Sequence, residues 1–339
     1  AGPMTGDQAK MGQDIANGVT LAVDEWNSRG GLLGKKIVVV VGDDRRDPRE
    51  AVSVANKMVN ERVVGVVGHF NSSCSIPASK IYNEYRLIQI TPASTNPQLT
   101  EQNFENVFRV CGRDDQQGIV GAKFVLEKLG KKRIAVLHDK TTYGQGLADE
   151  FKKNVEMDKS AVVVAYEGII QGDNDFTAVL TKVKQQNPDV LYYGGIYPEA
   201  GLLVKQMRQL GMKTIFVSGD GVIDKQFIKI GGEATEGSYL SFSPPFENKP
   251  SARHFIETYK SRYGDPGPYS IYAYDAANIL LKAIEKAQST DYKKLVATIH
   301  QEKFEGAIGE IQFDKKGDVL VAPYIFWIVK DGDFVPFEQ

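Results

Sequence analysis

The chain has 339 residues, 42% hydrophobic and 25% charged, which suits two ordinary globular domains with a sizeable core. A formal net charge of -2 offers no basic surface to nucleic acid or an anionic membrane. No apolar run approaches the ~20 residues of a membrane span, so direct membrane insertion is not expected.

The first residues, Ala1-Gly2-Pro3, read as a loop following a strand, and 11–28 as a helix with Ile15, Val19, Ala22, Val23 and Trp26 on one face. A parallel sheet cannot begin with a helix. The pattern therefore expects either a strand upstream of Ala1 or a sheet that begins with the run at 36–43. A strand at 36–41, a helix at 48–60 opened by Asp47-Pro48, a strand at 63–67, a helix at 75–85 and strands at 87–91 and 107–111 follow. Continuous Val/Ile runs mark strands buried on both faces, as in parallel sheets. The unit then repeats: helices at 116–129, 143–156, 176–186 and 198–210 alternate with strands at 133–138, 161–166, 190–193 and 214–217. Alternation of this kind predicts α/β layering and a second doubly wound domain. A strand at 238–242, helices near 250–263, 270–288 and 291–300, and a hairpin-like end at 310–313 and 324–330 close the chain. The late helices need a sheet to cover, so the chain is expected to cross between domains more than once.

In open α/β sheets ligands bind beyond the carboxyl ends of the strands. Two such ends carry small hydroxyl residues. After 63–67, Asn71, Ser72 and Ser73 precede a helix whose first turn is expected to hold Pro77, and its unpaired N–H groups and dipole favour an anion. After 87–91 come Ala93, Ser94 and Thr95. Donors at two neighbouring strand ends, with no cation, fit a carboxylate or phosphate cradle, and helix capping with turn chemistry accounts for the pattern equally well. Asp220 lies in a glycine-flanked loop after 214–217 and can pair with a ligand ammonium or cap a turn. Tyr143 and Tyr197 can add cation–π or hydroxyl contacts to an amine. Gly144-Gln145-Gly146 lacks the third glycine of a dinucleotide fingerprint, Asp149 standing there, and no phosphate loop occurs. His69, His138, His254 and His300 show no metal-ligand spacing, and no serine sits on a Gly-x-Ser-x-Gly elbow. No metal, cofactor or catalytic activity is expected. Cys74 and Cys111 are either bridged or free, and two cysteines do not fix a compartment.

Several motifs in register carry a resemblance across nearly the whole chain. They are Gly42-Asp43-Asp44, Asp47-Pro48, Ala55-Asn56-Lys57, Gly68-His69, Ile90-Thr91-Pro92-Ala93, His138-Asp139-Lys140, Tyr143-Gly144-x-Gly146, Gly194-Gly195, Gly219-x-Gly221 and Phe313-Asp314-x-Lys316-Gly317-Asp318. Together they resemble the periplasmic solute-binding proteins of branched-chain amino acid ABC transporters, the type I, leucine/isoleucine/valine-binding-protein-like family. The resemblance implies two doubly wound Rossmann-like lobes joined by a three-stranded hinge, one formed by 1–113 with 244–321 and the other by 114–243 with 322–339. It implies a strand before Ala1. It implies a monomeric, periplasmic or lipid-anchored protein that takes an amino acid in its interlobe cleft and delivers it to an ABC permease. Ser72 and Thr95, with the backbone at Ala93, would hold the α-carboxylate, and Asp220 and Tyr143 would meet the amine. Phe70, Ser94, Ile196 and Tyr197 complete the ligand-binding set.

The sequence also departs from the leucine-type members. Cysteines they carry at the positions of Arg46 and Asn71 are missing, the amine-side acid is Asp rather than Glu, and an aromatic common at the position of Ile196 is absent. Phe70 replaces a smaller aliphatic. The stretches Gly68-His69-Phe70-Asn71-Ser72, Cys111-Gly112-Arg113-Asp114-Asp115-Gln116-Gln117-Gly118 and Ser218-Gly219-Asp220-Gly221 resemble members that bind γ-aminobutyrate or small amino acids such as alanine or proline. A ligand-sensing receptor domain on the same fold is the alternative from another class.

Overall fold

The computed structural model describes residues 1–338. The chain divides into two compact units, Ala1–Gly112 with Pro245–Ala322 and Arg113–Pro244 with Pro323–Gln339, so it passes from one to the other three times.

The first unit opens with α1 (Ala9–Ser28), whose inner stripe includes Met11, Ile15, Leu21, Ala22 and Trp26. It packs on α11 (Ser270–Ala287), where Trp26 Nε1 donates to Asn278 Oδ1 at 2.9 Å. Next come α2 (Pro48–Asn60), β1 (Gly65–Val67), α3 (Ser72–Glu84), β2 (Ile88–Thr91), α4 (Gln98–Glu101) and β3 (Val107–Arg109). Helix α2 starts as the sequence reads: the Asp47 carboxylate accepts from the amides of Arg49 and Glu50, and Pro48 fills the first position. The strands form a parallel sheet in the order β1-β2-β3. Later segments add α10 (Arg253–Tyr263), α12 (Tyr292–Gln301) and the antiparallel pair β9 (Phe304–Gly306) and β10 (Gly309–Ile311).

Three expectations need correction here. The run at 36–41 forms no strand ladder, because no neighbouring chain pairs with it along its length. Only Gly2 bridges its end, donating to Gly42 O at 3.1 Å and accepting from Asp44 N at 3.0 Å. The valines instead line an apolar groove of about 570 Å³ with Val64, Val66 and Leu280. Second, α3 begins at Ser72, so Pro77 lies inside the helix rather than in its first turn, and Asn71 spends its amide on Gln8 Oε1 at 2.9 Å instead of capping. Third, 310–313 and 324–330 do not pair: β10 pairs with β9, and the second run belongs to the other unit's sheet.

The second unit contains α5 (Asp114–Lys123), continued by a π-helical turn Phe124–Lys128, then β4 (Arg133–His138), α6 (Thr142–Glu156), β5 (Val162–Gly168), α7 (Thr177–Gln185) and β6 (Val190–Gly194). After these come α8 (Tyr197–Gln209), β7 (Ile215–Ser218), a 3-10 turn at Asp220–Val222, α9 (Lys225–Gly231), β8 (Tyr239–Phe242), β11 (Ile325–Lys330) and β12 (Asp333–Pro336). The predicted helix at 116–129 is thus two helical forms. The Phe124 ring where they meet stacks on Phe326 with centroids 3.6 Å apart. One seven-stranded sheet runs β12-β11-β8-β7-β6-β4-β5, in which only β11 is reversed, pairing antiparallel with both β8 and β12. Every residue of β6 is buried, as a central parallel strand covered on both faces requires.

Cys74 and Cys111 are both buried, and neither forms a disulfide. Among the described residues no helix is long and apolar enough to cross a membrane.

Candidate functional site

Each unit presents a polar half-site at the carboxyl ends of parallel strands. In the first unit it is built by the segments following β1 and β2, which are adjacent strands. The loop after β1 is held from below. Buried Asp44 Oδ2 lies 2.7 Å from His69 Nδ1, and His69 Nε2 lies 2.9 Å from the Tyr82 hydroxyl. Burial lowers the imidazole pKa although Asp44 opposes it, so the ring is neutral. The neutral ring donates from Nδ1 to Asp44 and accepts at Nε2 from Tyr82. Above it, the His69 carbonyl accepts from Thr91 Oγ1 at 2.8 Å, and the Phe70 carbonyl from Ser94 Oγ at 2.9 Å.

These bonds sort the predicted residues by role. Ala93 and Ser94 amides both donate to Thr91 Oγ1, at 3.2 and 2.9 Å, and the Ser94 hydroxyl is 2.6 Å from Ser75 Oγ. Ser94 therefore builds the loop rather than offering donors. Thr95 Oγ1 is buried with no hydrogen-bond partner, and Ser72, at the head of α3, accepts from Asn96 N at 3.3 Å and keeps its own O–H. Phe70 is buried and meets Tyr269 edge-on with centroids 5.4 Å apart. Sequence reading missed Tyr269, which lies far along the chain just before α11. It also missed Arg109, whose charge inside an apolar strand was the available signal. Fully buried, Arg109 donates from Nε to Asp318 Oδ1 at 2.7 Å, from Nη1 to the carbonyls of Ser94 and Asn96, both at 2.9 Å, and from Nη2 to Thr100 Oγ1 at 2.7 Å. It ties the Ser94–Thr95–Asn96 turn to the end of β3.

The second unit's half-site uses the ends of β4, β6 and β7, neighbours in the sheet. Tyr143, in the first turn of α6, donates its hydroxyl to Asp220 Oδ1 at 2.8 Å and accepts from Gly221 N at 2.9 Å. Burial holds the Tyr143 hydroxyl pKa well above its usual value, and Asp220 and then Asp114 add to the shift. Close approach explains Gly221: a Cβ there would sit 2.8 Å from Gly195 O and 2.8 Å from Tyr143 Cε1. Ile196, buried, is the capping residue of α8, and buried Tyr197 is its first residue, followed by Pro198. The structure thus brings Tyr143 and Asp220 into direct contact within this unit. His138 accepts from Lys140 N at 3.1 Å, the ordinary strand-end role. Thr141 Oγ1 caps α6 through Gly144 N at 3.0 Å, so Gly144-Gln145-Gly146 lies in the opening turns of that helix rather than in a tight turn. Among the described residues no group of three His, Cys, Asp or Glu could hold a metal ion.

The family model described as periplasmic binding protein matches residues 1–333. The chain belongs to the periplasmic binding protein family. Among its relatives in that family, a Leu/Ile/Val-binding protein homolog 2 of Brucella abortus is 42% identical over 333 residues, covering 98% of this chain and 89% of the relative. The leucine-, isoleucine-, valine-, threonine- and alanine-binding protein of Pseudomonas aeruginosa is 39% identical, covering 100% of this chain and 88% of that one. A crystal structure of a leucine binding protein from Thermotoga maritima superposes with a TM-score of 0.92 at 33% identity, covering 99% of this chain and 96% of that one. The type I α/β architecture expected from the sequence is the one that this leucine binding protein shares.

Proposed function

We propose that this protein is a non-enzymatic, extracytoplasmic solute-binding protein that captures a small or aliphatic amino acid and delivers it to an ABC permease. The supporting observation is the opposite character of the two half-sites. One offers the hydroxyls of Ser72 and Thr95 beside the turn at Ala93; the other offers the Asp220 carboxylate beside Tyr143. An α-carboxylate and an α-ammonium are the complementary pair. In this reading Phe70, Ile196 and Tyr197 meet the ligand's side chain, and Ser94 fixes the turn that carries Ala93 and Thr95. Relatives named for leucine, isoleucine, valine, threonine and alanine support the amino acid class. The protein acts as a periplasmic or lipid-anchored monomer.

A second reading within the same family is a preference for γ-aminobutyrate, alanine or proline. It is favoured by the bulk of Phe70, braced by Tyr269, and by the short Asp220. A thermal-shift screen against amino acids and γ-aminobutyrate tests both. Ligand at 100 times its dissociation constant should add about 2.7 kcal/mol of stability. A shift with leucine, isoleucine or valine supports the first preference, and one confined to the small or ω-amino ligands supports the second. No shift with any of them overturns the amino acid assignment.

A further inference from the structure

Tyr143 sits in the second position of α6, between Thr141, which caps that helix, and Gly144, whose amide donates to the cap. The residue that orders this turn is Asp139, buried just beyond the end of β4. Its amide donates to Gly194 O at 3.0 Å, which ties the turn to the end of β6. Its Oδ1 accepts from Thr141 N at 2.9 Å and from Thr141 Oγ1 at 2.6 Å. Thr141 Oγ1 in turn accepts from Gly144 N at 3.0 Å. A hydroxyl has one proton to give. Thr141 spends it on Asp139, which leaves the oxygen lone pairs facing Gly144 N. Asp139 thus sets the direction of the cap, and the cap spans Tyr143. Among the described residues Asp139 Oδ2 has no hydrogen-bond partner, so Oδ1 alone carries this role.

A pair of glycines closes the same turn onto β6. A Cβ on Gly144 would sit 2.2 Å from Asp139 Oδ1 and 2.5 Å from Gly194 O, and one on Gly194 would sit 2.0 Å from Gly144 O. Backbone meets backbone there, so any shift in the start of α6 moves Tyr143 relative to the ends of β6 and β7. The far end of Tyr143 is where that shift is felt: its hydroxyl donates to Asp220 Oδ1 at 2.8 Å and accepts from Gly221 N at 2.9 Å. We propose that Asp139 is a positioning residue for the amine half-site: acting through the Thr141 hydroxyl, it fixes the first turn of α6 so that the Tyr143 hydroxyl meets Asp220 where the ligand ammonium is received. This rests on the amino acid reading above and adds to it a residue that acts on affinity through Tyr143.

The test is calorimetric titration of the amino acid giving the largest thermal shift into the wild type, Asp139→Leu, Asp139→Asn and Thr141→Val, and into the Leu and Val variants combined with Tyr143→Phe, with circular dichroism to confirm folding. Asp139→Leu and Thr141→Val should each weaken binding roughly fivefold or more, the scale of one hydrogen bond. Asp139→Asn keeps an acceptor for Thr141 and should bind within about twofold of the wild type. In the Tyr143→Phe background the Leu and Val changes should cost less than about twofold further, because their effect passes through a hydroxyl already removed. A merely structural role would leave affinity untouched in the folded variants or add in full to Tyr143→Phe. Should Asp139→Leu not fold, Thr141→Val and Asp139→Asn decide. Unchanged affinity in the folded Leu and Val variants, full additivity with Tyr143→Phe, or Asp139→Asn as weak as Thr141→Val overturns the proposal while leaving amino acid binding intact. Failure of the wild type to bind any amino acid overturns it together with the amino acid reading.

Discussion

Replacing Arg109 with methionine tests what shapes the first half-site. The guanidinium is fully buried and makes four hydrogen bonds: one to Asp318, two to the carbonyls of Ser94 and Asn96, and one to Thr100. Methionine keeps much of the length and none of the donors. Removing one member of a buried ion pair costs about 3–5 kcal/mol, because the other charge stays behind. The two carbonyls lose their donors as well, each worth about 1 kcal/mol, though neighbouring losses do not add fully. An expected cost of about 4 kcal/mol consumes much of a 5–15 kcal/mol stability. At roughly 2–4 °C per kcal/mol for a unit of this size, the melting temperature should fall by about 8–16 °C. Thermal unfolding followed by circular dichroism measures the shift, and urea denaturation measures the free-energy cost. The double variant Arg109→Met with Asp318→Leu removes both charges, so it should be less destabilised than the sum of the single changes. A single variant within 1 kcal/mol of the wild type, or strict additivity in the double, would refute the reasoning.

Other predictions follow from the same kind of accounting. Burial pushes the Asp139 carboxyl up to about 6, opposed by its bonds to Thr141 and reinforced by Glu199. The folded state therefore holds a proton that the unfolded chain releases near pH 4, and stability falls as pH rises from about 4 to 6. Asp139→Asn keeps an acceptor for Thr141 and should be more stable than the wild type by about 3 kcal/mol at pH 8 but nearly equal at pH 4; a difference independent of pH would contradict the assignment. Tyr82→Phe removes the donor to buried His69 Nε2 and should cost about 1–3 kcal/mol in denaturation, and no measurable loss would reverse the tautomer assigned to His69. Tyr143→Phe removes the hydroxyl that donates to Asp220 and accepts from Gly221 N, so the affinity for an amino acid should drop roughly tenfold or more in a titration. Burial raises the Cys74 thiol pKa, and Cys111 is buried too, so a thiol reagent should label neither in the native state and both after denaturation.

The second unit was largely legible from sequence because its strands run as unbroken apolar stretches and its helices begin at recognisable caps, as at Thr141. The first unit was less so. A valine run such as 36–41 shows strand propensity, but a ladder needs a partner, and partnership is a tertiary fact. The position of Pro77 misled for a related reason: proline marks a helix start by statistics, while α3 begins earlier, at Ser72, whose hydroxyl accepts from Asn96 N in a distant turn. Among the site residues, those on strand ends were visible, since their loops announce themselves. Tyr269 and Arg109 act through neighbours distant in sequence, at Phe70 and Asp318, and no local pattern exposes such pairings.

Isothermal titration of the amino acid giving the largest thermal shift tests the central claim most directly, run on the wild type, Ser72→Ala, Thr95→Ala and Asp220→Ala. The account predicts one molecule bound per wild-type chain, loss of roughly a hundredfold in affinity for Asp220→Ala, and smaller losses for the two hydroxyl variants, all with the fold retained. Wild-type isotherms reproduced by Asp220→Ala and Ser72→Ala would contradict it.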